Sequence, residues 1–158
     1  MISEKGISYI KLLMIFSIVM IIGILIAVYI AGFFKKGTLE DTKTNMLLIQ
    51  SKVKVIKGDS DINADAAVLL GKKVSEPDIP EEVKNFLNIG VISQIEYDYY
   101  YILNQETLNE MGLEDIKLKK GTYFIVNYTN YEVIYTDGYT NEYNNTYYKL
   151  SEIQDLVY

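Results

Sequence analysis

Residues 38–59, TLEDTKTNMLLIQSKVKVIKGD, place Leu39, Thr42, Met46, Ile49, Val53 and Ile56 at spacings of 3, 4, 3, 4 and 3. At 3.6 residues per turn these side chains fall on one side of a helix, so the segment predicts an amphipathic helix with a single apolar stripe. Thr38 or Asp41 can open it, Lys52, Lys54 and Lys57 suit a helix C-terminus, and Gly58 is expected to close it. Such a stripe requires a cover, which the rest of the chain is expected to supply as a small sheet.

Upstream, Leu12–Phe34 reads LLMIFSIVMIIGILIAVYIAGFF, 23 residues without a charge. At about 1.5 Å per residue such a run reaches across the roughly 30 Å hydrocarbon core of a bilayer, so a transmembrane helix is expected over 7–36. A buried helix in a soluble core would need a larger protein around it. A cleaved secretory signal would need a shorter run and a small residue at −3, where cleavage after Ala31 or Gly32 would put Tyr29 or Ile30. Lys5 and Lys11 precede the run and Lys35 and Lys36 follow it, so the distribution of basic residues does not choose an orientation. No proline occurs before Pro77, which allows the apolar helix to run almost continuously into the amphipathic one.

Downstream, GDSDINAD at 58–65 sets Asp59, Asp61, Asn63 and Asp65 at alternate positions, like the opening of a calcium loop. Ala64 and Leu70 stand where such a loop needs Gly and a bidentate Glu, so an Asx-capped turn opening a short helix, NADAAVLLGKK, closed by Gly71, is the expected structure. SEPDIPEEVKNFLNIG at 75–90 predicts a short helix with Glu81 and Glu82 in its first turn. YDYYYILN at 97–104 is β-prone, and QETLNEMGLEDI at 105–116 offers a helical turn or two around Leu108 and Met111 ending at Gly112. The strongest β signal is TYFIVNYTNYEVIYTDG at 122–138, two β-branched and aromatic runs divided by Thr129 and Asn130, which predicts a hairpin. A last strand at 146–150 and a terminal helical turn complete an α+β domain with three or four antiparallel strands.

The chain has 158 residues and a net charge of −6, but residues 37–158 hold 11 Lys against 20 Asp and Glu, a net of −9. That acidity disfavours nucleic acid and anionic lipid as partners of the domain. With no Cys and no His, zinc fingers, thiol nucleophiles, imidazole bases and disulfides are excluded together. No GxSxG, SxxK or glycine-rich phosphate loop is present, and pairs such as Glu81/Glu82 and Glu114/Asp115 point apart on a helix. No catalytic, cofactor or metal residue is nominated, and the chain is not expected to be an enzyme. Thirteen of the 15 tyrosines lie after residue 96. They suit surface recognition, but Tyr is also a good strand residue, and the strand role is the stronger reading.

Residues 5–26, KGISYIKLLMIFSIVMIIGILI, resemble the N-terminal cleavage and methylation segment of the type IV pilin and pseudopilin family, in leader length, Lys-Gly, a Ser at the second mature position and the Gly-Ile-Leu at 23–25. The resemblance covers about 22 residues. It implies a leader, Met1–Gly6, removed by prepilin peptidase between Gly6 and Ile7, a cytoplasmic N-terminus and a domain on the outer side of the cytoplasmic membrane. It also implies packing with other pilin-like subunits in a type IV pilus or a fibre of the type II secretion kind. Where the family usually has Glu at the fifth mature position, this chain has Lys11. That carboxylate would meet a neighbour's N-terminal ammonium, and two ammonium groups in a low-dielectric bundle repel instead. Lys11 therefore implies a minor or tip position, or a side chain that snorkels to the headgroups.

The sequence thus predicts a leader over 1–6, a transmembrane helix over 7–36 and an extracytoplasmic α+β domain over 37–158, pilin-like in layout, with Gly6 and Ile7 as processing residues and Lys11 as an assembly residue. The alternative is a bitopic membrane protein whose outer domain binds a ligand or partner.

Overall fold

A computed structural model describes the backbone of residues 9–63 and 68–156, and the side chains of 11–27, 38–63 and 68–156. The chain divides into two compact units, Met1–Thr38 and Leu39–Tyr158. Helix α1 (Tyr9–Ile62) contributes residues to both.

In the second unit the stripe is buried as its spacing requires. Leu39, Met46, Ile49 and Val53 are 4% exposed or less, and Ile56 is half-buried. Helix α1 continues past Gly58 to Ile62, four residues beyond the expected stop. Gly58 does not adopt a left-handed conformation, and an ion pair between Lys57 and Asp61, one turn apart, supports the extra turn.

Beyond α1 come β1 (Lys72–Lys73), α2 (Glu81–Leu87), a 3-10 helix (Gln94–Tyr99), β2 (Tyr100–Leu103), α3 (Gln105–Glu110), β3 (Phe124–Asn127), β4 (Val133–Thr140), β5 (Thr146–Lys149) and α4 (Leu150–Gln154). The strands form one antiparallel sheet in the order β1-β2-β3-β4-β5. It has five strands rather than three or four, because Lys72 and Lys73 pair with Ile102 and Tyr101. The short helix expected to end at Gly71 is absent from 68–73. Gly71 instead turns the chain at φ +101°, where a Cβ would lie 2.8 Å from the Ile102 carbonyl oxygen.

The register explains why the strand sequences alternate poorly. On one face, Leu103, Phe124, Val126 and Val133 join the α1 stripe, Leu108, Met111, Leu150 and Ile153 in one core. On the other, Tyr100, Ile102, Ile125 and Ile134 pack with Val83, Phe86 and Leu87 of α2 and with Ile79 and Ile92 beside it. A sheet covered on both faces needs apolar residues at successive positions, and all four residues of β3 are buried.

Local signals set the connections. Asn104 caps α3 by accepting the Thr107 N–H at 2.8 Å, and Gly112 follows at φ +70°. In the β3–β4 turn the buried Asn127 side chain accepts the N–H groups of Thr129 and Asn130, and Gln50 of α1 donates to the Tyr131 carbonyl at 2.9 Å. The Glu152 carboxylate accepts the N–H groups of Tyr148 and Lys149, and Glu76 accepts that of Lys73, so carboxylates occupy donors along both outer strands.

The first unit requires a correction. Among the described residues no helix is long and apolar enough to cross a membrane. The described uncharged side chains, Leu12–Ala27, are 16 in a row. At about 1.5 Å each they reach about 24 Å, short of the roughly 30 Å of hydrocarbon. The transmembrane helix expected over 7–36, and the single-pass placement in the cytoplasmic membrane built on it, are therefore not supported; the α+β class and the antiparallel sheet are what the structure has.

Candidate functional site

The most unusual surface lies in the first unit. Every large apolar side chain from Leu12 to Ile26 is between 50% and 66% exposed, on all sides of the helix. Its one hydroxyl, Ser17, is satisfied within the helix by donating to the Leu13 carbonyl at 2.9 Å. Leu, Ile, Met and Val favour this helix by ordinary propensity, but a helix apolar all round has no stable solvent-facing side. Contiguous exposed apolar surface of this kind marks an interaction site.

Lys11 stands at the start of this surface, on α1, with its side chain exposed. Gly6 and Ile7, the expected processing pair, lie outside the described residues, and so does Ser8. The structure therefore places Lys11 at the start of the apolar helix.

The acidic residues of 58–65 form no site in the part described. Asp61 pairs with Lys57, Asp65 and Ala64 lie outside the described residues, and among the described residues no group of His, Cys, Asp or Glu could hold a metal ion. Glu81 pairs with Lys84 at 3.3 Å, and Glu114 and Asp115 are exposed. Lys72 donates to Asp78 and holds its carboxyl below the usual range, and Asp137 beside Lys119 holds that ammonium above its own. These are exposed pairs, of small energetic weight.

The tyrosines are structural for the most part. Tyr128 and Tyr100 are buried, and Tyr101, Tyr131, Tyr135, Tyr139 and Tyr147 pack half-buried against the α1-side core. Tyr101 meets Tyr128 edge-on at 5.1 Å, Phe86 meets Tyr148 edge-on at 5.2 Å, and Phe124 stacks on Tyr135 at 4.7 Å. Tyr128 donates to the Leu70 carbonyl at 2.9 Å, and burial pushes its hydroxyl up to about 12; burial also raises that of Tyr100. Tyr99 and Tyr143 are exposed. Tyr97 lines an open depression with Ile92, Ser93, Glu96 and Lys149.

A feature that the stripe reading passed over lies on the second unit. Leu48, Val55 and Ile62 are exposed on α1, away from the buried stripe. Their common interval of seven residues was the available signal. No family model, curated protein or solved structure matches the chain.

Proposed function

We propose that this chain is a pilin-like subunit, of the minor or pseudopilin kind, that assembles by packing its apolar N-terminal helix among the helices of other pilin-like subunits. The observation that carries the reading is the exposure of the apolar side chains of Leu12–Ile26 on every side, because a bundle of like helices covers such a surface from all directions at once. The N-terminal segment KGISYIKLLMIFSIVMIIGILI, and an α1 stripe covered by an antiparallel sheet, support it further. Prepilin peptidase acts in this reading between Gly6 and Ile7.

Lys11 sets the position in the fibre. A neighbour's N-terminal ammonium beside Lys11 is a like-charge contact, so the chain does not repeat along a fibre alone and takes a tip position or pairs with a subunit supplying a carboxylate. Intact-mass measurement of the protein from its native cell should show loss of six residues, and a form retaining Met1 as the sole species would overturn the reading. In immunogold labelling of fibres, Lys11→Glu should raise incorporation along the shaft. Dense labelling of the whole length by the unmodified protein would overturn the minor role.

A further inference from the structure

We propose that the outward face of α1 in the second unit pairs in parallel, in register, with the same face of a second copy of this chain. The face is formed by Leu48, Val55 and Ile62, which are 47%, 57% and 80% exposed. Seven residues are nearly two helical turns, so the three lie along one line. That line is on the side opposite the buried Met46, Ile49 and Val53. Scattered exposed apolar residues need no explanation; three in a row at the interval of a two-stranded helical seam do.

The residues between them suit close approach. Ser51 and Gly58 occupy the intervening seam positions. The Ser51 hydroxyl already donates to the Leu47 carbonyl at 2.9 Å, so covering it strands no polar group. A Cβ on Gly58 would meet nothing within 4 Å, so the chain's own packing does not require glycine there, although glycine in a helix costs about 1 kcal/mol relative to alanine. A partner helix at close range is a reason for it.

Charge selects the occupant and its direction. In a parallel in-register pair, the residue just before one seam position faces the partner's residue five further on. Lys54 of each copy then faces Asp59 of the other, giving two attractive pairs. Lys54 lies 5.7 Å from the centre of the Tyr131 ring, and its side chain is exposed, as is that of Asp59. Lys52 faces the uncharged Leu47. Turning one helix about Val55 would set Lys52 near Asp59 but bring the two Lys54 ammonium groups together, so the parallel arrangement is preferred. Asp41, one interval before Leu48, ends the apolar line, and the pairing face extends from Leu48 to Ile62.

This pairing does not rest on the pilin-like reading, and its test uses only the second unit's residues in the full chain. The chain has no cysteine, so single substitutions report directly. Oxidation of the full chain in non-ionic detergent should link Leu48→Cys to itself, Val55→Cys to itself and Ile62→Cys to itself. Glu106→Cys, exposed on α3, should stay monomeric. Linking of Val55→Cys alone, with Leu48→Cys joining only Ile62→Cys, would establish the antiparallel pair and overturn the proposal. Monomer at all three positions, or equal linking at residue 106, would overturn pairing altogether. In the Val55→Cys background, Lys54→Glu should slow linking about five- to tenfold, and adding Asp59→Lys should restore it. Failure of the double exchange to restore it would remove the Lys54–Asp59 contact and the direction argued from it.

Discussion

The two units use helix α1 in opposite ways. In Leu39–Tyr158 the helix carries a continuous apolar stripe that vanishes into a core shared with Leu103, Phe124, Val126 and Val133. In Met1–Thr38 large apolar side chains of Leu12–Ile26 lie on every side of the helix, and all of them remain at least half exposed. A single stripe can be covered by a hairpin and two short helices; an all-round apolar surface needs neighbours in every direction. In the first arrangement the chain covers its own stripe; in the second the apolar surface stays exposed.

The contrast is tested most severely by truncating one leucine in each unit. Leu103→Ala removes a fully buried side chain and should destabilise the second unit by about 2–5 kcal/mol, read by urea unfolding with tyrosine fluorescence. Leu25→Ala, at a position 63% exposed, should leave that transition unchanged. A comparable loss from Leu25→Ala would show that the two units depend on each other for folding.

Glycines sharpen the same point. Gly138 has φ +66°, and a Cβ there would lie 2.8 Å from both Thr146 Cγ2 and Tyr148 Cδ1, so Gly138→Ala should destabilise by about 1–3 kcal/mol. Gly23 in the first unit has nothing within 4 Å, and Gly23→Ala should instead raise helicity, by about 0.5–1 kcal/mol. Thermal melts followed by circular dichroism would check both signs.

A smaller effect is expected from the α3 cap. Asn104→Ala leaves the Thr107 N–H without its acceptor and should cost about 1 kcal/mol, with Asn104→Ser recovering most of it in the same melts.

The least effect at neutral pH belongs to Tyr128, whose hydroxyl titrates near 10 in the unfolded chain and at about 12 in the fold. The folded state holds this proton more tightly, so its contribution is complete below pH 10 and is lost as pH rises from 10 to 12. Tyr128→Phe should flatten that part of the stability profile, and an unchanged slope would mean another group controls it.

Much of the second unit was legible in residues 38–59 and 122–138, where spacing and turn chemistry are strong local signals. The outer face of the sheet was not: FIVN and YYIL carry apolar residues at successive positions, which periodicity alone cannot assign to faces. Lys72 and Lys73 read as a helix end, and only pairing with β2 makes them a strand. Of the candidate site, Lys11 lies on the exposed helix, Gly6 and Ile7 lie outside the described residues, and the reading of 7–36 as a membrane span failed. Hydropathy counted the whole run of 23 uncharged residues, and the described side chains account for 16.

By itself the sequence determined the amphipathic stripe, the hairpin, the helix stop at Gly112 and the absence of thiol and imidazole chemistry, because each depends on residue type and short spacing. The tertiary structure decided what covers each surface: that the sheet is buried on both faces, that Lys72 and Lys73 close one edge, and that Leu48, Val55 and Ile62 stay outside. Burial depends on which distant segments meet, and no local pattern encodes that.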